Sequence, residues 1–225
     1  MLSSVIRRPR SGEPVIGEDA DSFLGVSVDQ RAQQIVVGRA DDVPGWLLDG
    51  MYRLRHEVFR ERLRWDVGSR DGRERDGYDD CDPVYAIGYA EERREVTGCC
   101  RLLRTDGPYM LPEVFPETLR GGPAPRDPAT WEMSRLAIGR GWSRTVSAGF
   151  GPFARALIWE AFRWVDRHGD TVVAVSSVAV ERIVNGMGVR TRRFGDGRAT
   201  RVGSVLCSAY ATSTRDYLAH AAPGR

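Results

Sequence analysis

Charged and polar side chains interrupt the strand-like stretch at residues 131–138, and no other part of the sequence constrains the fold as strongly. Because side chains alternate across a strand, the sequence predicts two faces: Trp131, Met133 and Arg135 on one, and Glu132, Ser134 and Leu136 on the other. Buried ionised groups are costly unless they are paired or take part in chemistry. The stretch alone leaves two alternatives, an edge strand with a Glu132–Arg135 salt bridge or a strand that carries a catalytic site.

The length of 225 residues fits one domain with a tail. Residues 1–31 lack sustained periodicity and are expected to form a flexible leader, with the domain at residues 32–225. No apolar run reaches 18 residues, so a membrane span is not expected. Acidic and basic residues are interleaved and the net charge is +2, which argues against a nucleic-acid-binding surface. Four cysteines without a C-x-x-C pair argue against a metal site and fit a reducing cytoplasm.

Hydrophobic periodicity predicts a mixed α/β fold. The expected strands cover residues 34–37, 84–89, 96–103, 131–138, 171–175 and 202–210. The expected helices run from about 44 to 63, from 150 to 168 and from 178 to 185. Hairpins come early and a β-α-β return comes late, which indicates a mixed sheet flanked by helices.

A long acidic loop is predicted between the first helix and the second strand, at residues 65–83. It carries seven carboxylates: Asp66, Asp71, Glu74, Asp76, Asp79, Asp80 and Asp82. Loops of this length are usually functional or disordered, and a solvated acidic loop is the simpler alternative. The spacing does not match a calcium-binding loop.

Nine positions, taken together, resemble the signature of the acyl-homoserine-lactone synthase (autoinducer synthase) family of bacterial quorum sensing. They are Arg55, Phe59, Trp65, Asp76, Asp79, Arg101, Phe115, Glu132 and Arg135. Arg101 lies in a G-x-x-R-L segment, and the last two positions lie in W-E-x-S-R. The resemblance covers residues 33–215. The departures are the leader and Ser176-Ser177, where relatives often carry a threonine.

The resemblance implies a fold like that of the GCN5-related N-acetyltransferases, with a V-shaped cleft between central strands. It implies S-adenosyl-L-methionine and an acyl thioester, on an acyl carrier protein or coenzyme A, as substrates. The products would be an N-acyl-L-homoserine lactone and methylthioadenosine. No cofactor, metal or obligate protein partner is expected.

Roles for individual residues follow from the resemblance and from the chemistry. A protonated α-amino group cannot attack a thioester, so a base is required. The residues expected to carry catalysis are Glu132 as the base, Arg101, and Ser134 at the oxyanion. Those expected to bind S-adenosyl-L-methionine are Arg55, Phe59, Trp65, Asp76, Asp79, Phe115 and Arg135. Those expected to line the acyl-chain pocket are Met133, Phe153, Leu157 and Ser176.

Alternative interpretations remain open for these residues. Glu132 is also suited to holding Arg101 or Arg135 in place, and aromatic residues at helical spacing usually pack in a core. One competing function is an ordinary N-acetyltransferase of the same fold, although residues 140–144 lack a good Q/R-x-x-G-x-G/A pattern. The other is a non-enzymatic binding module built around the acidic loop.

Overall fold

Eight of the strands form one mixed sheet that has helices on both faces. The computed structural model describes residues 6–7, 33–142 and 150–223. The strands are β1 (Ile6–Arg7), β2 (Gln33–Arg39), β3 (Asp66–Val67), β4 (Ser69–Arg70), β5 (Arg73–Glu74), β6 (Val84–Ala90), β7 (Glu95–Arg104), β8 (Thr130–Ile138), β9 (Thr171–Ser177), β10 (Arg192–Arg193), β11 (Thr200–Val202) and β12 (Val205–Ser213). The helices are α1 (Gly45–Arg55), α2 (Met110–Val114), α3 (Pro152–Asp166), α4 (Val178–Gly186) and α5 (Thr214–His220). Shorter helical segments are His56–Arg62, a π-helix, and the 3₁₀ turns Ala40–Asp42, Gly77–Asp80, Glu91–Arg93, Pro116–Leu119 and Arg140–Trp142.

The strand order of the sheet is β10-β12-β9-β8-β7-β6-β2, with β11 paired to β12. β8 and β9 run parallel and are connected through α3. The other neighbouring strands of this sheet are antiparallel. The predicted mixed sheet, with early hairpins and a late β-α-β return, is confirmed.

The sheet opens between β8 and β9. These strands pair at only three positions, Thr130 with Thr171, Trp131 with Val172, and Glu132 with Val173. Both strands continue beyond the last pair, β8 to residue 138 and β9 to residue 177, without further pairing to each other. The expected V-shaped cleft between central strands is therefore present.

The two faces of the sheet are covered by different helices. Along β6, Val84 and Ala86 belong to the core beneath α3 and α5, whereas Tyr85 and Ile87 belong to the core beneath α1. This is the two-residue alternation expected of a strand that is buried on both faces.

Two glycines allow α3 to approach the sheet closely. The ring of Phe153 lies directly over Gly88 in β6 and Gly98 in β7. A Cβ atom at Gly88 would lie 2.5 Å from this ring, and one at Gly98 would lie 2.7 Å from it. A larger residue at either position would therefore push α3 away from the sheet.

Several predicted elements differ from the structure at their ends. The first helix changes from α to π geometry after Arg55, although it was predicted as one helix to about residue 63. The acidic loop contains three two-residue strands and a 3₁₀ turn. Of the predicted leader, residues 6–7 pair with β3, and the remainder lies outside the described residues. Within the described ranges, no helix is long and apolar enough to cross a membrane.

Candidate active site

Six buried side chains of alternating charge form a closed ring beside the cleft. Around the ring, the nitrogen–oxygen distances are Arg55–Asp79 2.8 Å, Asp79–Arg101 2.9 Å, Arg101–Asp76 2.6 Å, Asp76–Arg135 2.6 Å, Arg135–Glu74 3.2 Å and Glu74–Arg55 2.5 Å. We call this set the charged ring. Its side chains are at most 3% exposed. Three guanidinium groups face three carboxylates, so each buried charge has partners of opposite sign, which is the condition for keeping such charges out of water.

The acidic loop supplies the three carboxylates in a fixed geometry. Asp76 caps the 3₁₀ turn Gly77–Asp80, and its side chain accepts a hydrogen bond from the backbone N–H of Tyr78 at 2.9 Å. The side chain of Asp79 accepts one in return from the backbone N–H of Asp76 at 2.8 Å. This reciprocal capping box fixes both carboxylates. In this geometry Asp79 binds Arg55 and Asp76 binds Arg101.

A β-bulge brings Arg135 into the ring. Cys99 of β7 pairs with Ala137 of β8, and Arg101 pairs with Ser134, so Arg135 and Leu136 together face a single residue of β7. Arg135 has a positive φ of 54°, the left-handed conformation found at the first residue of a G1 bulge.

The bulge reverses the faces predicted for two residues. Arg135 shares the carboxylate of Asp76 with Arg101, which is paired with Ser134, so Arg135 lies on the Ser134 face. Leu136 packs with Trp131 and Met133 against the α3 core. The simple alternation predicted for Arg135 and Leu136 is therefore wrong, because the extra residue shifts the register.

The three guanidiniums are not equally compensated. Burial by itself lowers the pKa of Arg55 and Arg101, but the neighbouring carboxylates outweigh it and raise both above the ordinary value. For Arg135, burial outweighs Glu74 and Asp76, and its pKa is lowered. Burial therefore disfavours the charged form of Arg135, in contrast to Arg55 and Arg101.

Glu132 lies next to the charged ring, but its carboxylate is held by two backbone N–H groups and not by an arginine of the ring. Its Oε2 accepts a hydrogen bond from the backbone N–H of Met110 at 2.9 Å, and its Oε1 accepts one from that of Leu111 at 2.6 Å. The side chain is almost completely buried, and burial raises its pKa to about 7 although both backbone bonds and two arginines oppose this. The Glu132–Arg135 salt bridge that the sequence left open is not what the structure has.

Sequence reasoning missed two members of the site, Glu74 and Met110. Glu74 is fully buried and completes the charged ring by binding both Arg55 and Arg135. One signal could have identified it: Glu74 and Asp76 are two residues apart, so an extended segment places them on the same face. The sulfur of Met110 accepts hydrogen bonds from Nη2 of Arg101 at 3.1 Å and Nη1 of Arg135 at 3.5 Å. No sequence pattern indicates this contact.

The aromatic pair Phe59 and Trp65 borders the ring. Their rings are stacked with a centroid distance of 5.1 Å. The guanidinium of Arg135 lies 5.6 Å from the Phe59 ring centroid. Phe59 is buried, whereas Trp65 is 36% exposed. The pair therefore connects the charged ring to the protein surface.

Two further residues predicted for the site, Ser134 and Phe115, lie apart from this aromatic pair. Ser134 accepts a hydrogen bond from Nε of Arg101 at 3.2 Å through its hydroxyl oxygen. Phe115 follows α2 and packs in a separate core with Leu111 and Tyr78. The aromatic side chain of Phe115 therefore belongs to that core, and it is not a member of the charged ring.

The four residues expected to line the acyl-chain pocket fall into two groups. Met133 and Ser176 are half-buried and lie on β8 and β9 beyond their last paired residues. The hydroxyl of Ser176 hydrogen-bonds that of Tyr210 at 3.1 Å. Phe153 and Leu157 are buried on α3 behind the sheet.

Comparison with known proteins gives this arrangement a family. The sequence profile of the autoinducer synthase family matches residues 45–217. An acyl-homoserine-lactone synthase of Pseudomonas aeruginosa strain PAO1 is 39% identical over 167 residues, which are 72% of this chain and 80% of the relative. This chain belongs to the autoinducer synthase family. The resemblance found in the sequence is confirmed.

Solved structures agree with this membership. The acyl-homoserine-lactone synthase LasI superimposes with a TM-score of 0.73 and 34% identity, covering 84% of this chain and 94% of LasI. The coenzyme-A-dependent synthase BjaI, solved with S-adenosylmethionine and isopentyl-CoA, gives a TM-score of 0.69 and 28% identity over 81% of each chain. A putative N-acetyltransferase from Lactobacillus plantarum shares the fold, with a TM-score of 0.54 and 15% identity over 81% of this chain and 99% of that one.

Family membership decides between the competing functions. The relatives of this chain are named as synthases, which are enzymes. This excludes the alternative of a non-enzymatic binding module built around the acidic loop. The N-acetyltransferase neighbour shares only the fold, whereas the synthases also share the sequence. The synthase interpretation is favoured over the N-acetyltransferase alternative, and the chain is an acyltransferase.

Proposed function

We propose that this autoinducer synthase transfers the acyl group of a thioester to the α-amino group of S-adenosyl-L-methionine, which frees the donor thiol, and then closes the product to an N-acyl-L-homoserine lactone, releasing methylthioadenosine. The observation that carries this proposal is that Glu132 belongs to the last pair before β8 and β9 separate and lies next to Arg101 and Arg135 of the charged ring. S-adenosyl-L-methionine is consumed in the reaction, so it is a substrate and not a cofactor. The synthase BjaI, solved with S-adenosylmethionine and an acyl-CoA, supports this pair of substrates.

Glu132 is the proposed base for N-acylation. An α-amino group has an ordinary pKa of about 7.7–8.0, so most of it is protonated near neutral pH. A carboxylate with a pKa of about 7 is well matched to remove that proton, directly or through one water molecule. Each oxygen of Glu132 accepts one backbone hydrogen bond, and a carboxylate oxygen has a second lone pair for the substrate.

Ser134 and the backbone at the cleft are proposed to stabilise the oxyanion that forms on the carbonyl oxygen of the thioester when the amine attacks its carbon. Since the Ser134 oxygen accepts a hydrogen bond from Arg101, its own proton is available to donate in another direction. Beyond Glu132, β8 no longer pairs with β9, so its backbone N–H groups on that side are also oriented towards the cleft. Donors of this kind act strongly where water is excluded.

Arg135 and Arg101 are proposed to bind the α-carboxylate of S-adenosyl-L-methionine, and the stacked Phe59 and Trp65 to shelter its sulfonium. Guanidinium–carboxylate contacts are strong and directional, and an aromatic face attracts a cation. Asp76, Asp79 and Arg55 complete the proposed binding site because they fix the two arginines. Phe115 packs in the core with Leu111 and Tyr78, so its proposed role is to support the binding site through that core.

Lactone closure needs little acid–base help, because the positively charged sulfur is already an excellent leaving group. The α-carboxylate attacks the γ-carbon, and neutral methylthioadenosine departs with the electron pair of the broken bond. The protein has to hold the amino-acid chain folded back on itself, and the gain comes from proximity. An arginine on the carboxylate and an aromatic ring on the sulfonium would hold both ends of that chain.

The acyl chain is proposed to enter the cleft between β8 and β9. Met133 and Ser176 lie on the two separating strands, and Leu157 packs in the same core as Met133. Phe153 lies on the same helix as Leu157, over Gly88 and Gly98 of β6 and β7, and is proposed as the end of this lining. The donor is an acyl carrier protein or acyl-coenzyme A.

The proposal also includes a cytoplasmic location, because all four cysteines are free thiols, as is usual in a reducing compartment.

Mass spectrometry of the purified protein with S-adenosyl-L-methionine and a series of acyl thioesters, on coenzyme A and on acyl carrier protein, tests the proposed function. We expect equal amounts of N-acyl-homoserine lactone and methylthioadenosine. Glu132→Ala should reduce turnover by about a hundredfold or more, and the exposed Glu92→Ala should leave it unchanged. Acyl transfer without lactone and methylthioadenosine, with either donor type, would contradict the proposal.

A further inference from the structure

The inference concerns where the substrate carboxylate can enter a ring whose charges are already paired. Arg101 directs its donors to Asp76, Asp79 and the Ser134 hydroxyl, with one exception. That exception is a contact from Nη2 to the sulfur of Met110. Nη1 of Arg135 faces the same sulfur. Two neighbouring guanidiniums therefore converge on one thioether.

A thioether is a poor partner for this position. Sulfur in methionine is a weak acceptor, whereas a carboxylate oxygen makes a charge-assisted hydrogen bond that is about twice as strong as a neutral one. The position also lies beside Arg135, whose burial outweighs the effect of its two carboxylate partners on its pKa. An anion that replaced the sulfur would contact two guanidiniums at once.

The side chain of Met110 can change its conformation while its backbone stays in place. Its N–H and that of Leu111 are bound by Glu132, which fixes the start of α2. Its side chain is unbranched and has three rotatable bonds, so the sulfur can leave while the main chain stays in place. The residue is almost completely buried, which means that a ligand at this position must displace the side chain.

We infer that Nη2 of Arg101 and Nη1 of Arg135 form the subsite for the α-carboxylate of the substrate, and that the Met110 thioether occupies this subsite until the carboxylate displaces it. This inference rests on the proposed function, to which it adds the atoms involved and the side chain that competes with the substrate. Met110 is therefore a residue that sets the affinity for the amino-acid part of S-adenosyl-L-methionine. The adenosine part is not affected.

Substitutions at Met110 test this competition directly. Met110→Glu places a permanent carboxylate between the two guanidiniums, and Met110→Gln places an amide oxygen there. Met110→Leu keeps the size and removes the acceptor. Isothermal titration calorimetry with S-adenosyl-L-methionine and with methylthioadenosine separates the two parts of the ligand, because methylthioadenosine lacks the carboxylate. Met187→Glu, at a half-buried methionine in the α3 core, is the matched control.

We expect Met110→Glu to weaken binding of S-adenosyl-L-methionine by about tenfold or more, with methylthioadenosine affinity unchanged. Met110→Leu should bind S-adenosyl-L-methionine as well as the unaltered protein does, or better. If thermal melting shows that Met110→Glu does not fold, Met110→Gln decides by the same ratio of the two ligands. A parallel loss of both ligands, or unaltered binding of S-adenosyl-L-methionine, would overturn the inference. If the unaltered protein itself makes no lactone, the proposed function fails instead.

Discussion

The raised pKa of Glu132 gives the most quantitative prediction, because it links stability to pH. Burial raises this pKa from an ordinary value of 4.5 to about 7 in the folded protein. Each pKa unit corresponds to about 1.4 kcal/mol, so the folded state favours the protonated form by about 3 kcal/mol. Since the folded pKa is raised, the stabilisation is complete below the unfolded value and is lost as the pH rises through about 7.

Glu132→Gln removes this titration. The free energy of unfolding of the unaltered protein should therefore fall, relative to that of the variant, by about 2–3 kcal/mol between pH 5 and pH 8. Urea unfolding followed by tryptophan fluorescence at several pH values measures both proteins. The exposed Glu92→Gln is the control and should keep the pH dependence of the unaltered protein. If Glu132→Gln also keeps that dependence, Glu132 does not titrate near neutral pH and the reasoning is wrong.

The same titration should appear in catalysis with the opposite sign. A base must be ionised, so kcat/KM should rise with pH through about 7, where the stabilisation disappears. The substrate amine adds a second rise at its own pKa of about 7.7–8.0. In Glu132→Gln the residual activity should keep only the second rise.

Three further predictions concern packing and charge. Glu74→Gln leaves two buried guanidiniums short of a partner and should lower the free energy of unfolding by about 3–5 kcal/mol in urea titrations, whereas the exposed Asp71→Asn should change it by less than about 0.5 kcal/mol. Gly88→Ala puts a Cβ 2.5 Å from the Phe153 ring and should lower the free energy of unfolding by about 1–3 kcal/mol. A variant as stable as the unaltered protein would contradict the tight packing of α3. Trp65→Ala should raise the KM for S-adenosyl-L-methionine by about threefold or more through loss of the cation–π contact, while Trp65→Phe should retain most of the affinity in the same lactone assay.

Local patterns predicted most of the fold. The strands and helices of the sheet follow from periodicity, since β6 alternates between two cores and α3 carries one apolar side. Element ends were less predictable. The α-helix ends at Arg55, whose guanidinium binds carboxylates that lie 19 and 24 residues away. Such contacts leave no local signal.

The charged ring was predicted in part. Five of its six members belong to the nine positions that resembled the family signature, and Glu74 had only its two-residue spacing from Asp76 as a signal. The face of Arg135 was wrong because a bulge cannot be read from alternation. The contact between Met110 and two guanidiniums is a property of three-dimensional packing, and sequence alone gave no reason to expect it.

The charged ring also has a consequence for biogenesis. Its members come from a helix, a loop and two strands, and Arg135 meets Glu74 across 61 residues of chain. Contacts of such long range form only after the chain segments between them have been ordered. A nascent chain that has not yet made β8 therefore cannot possess the site.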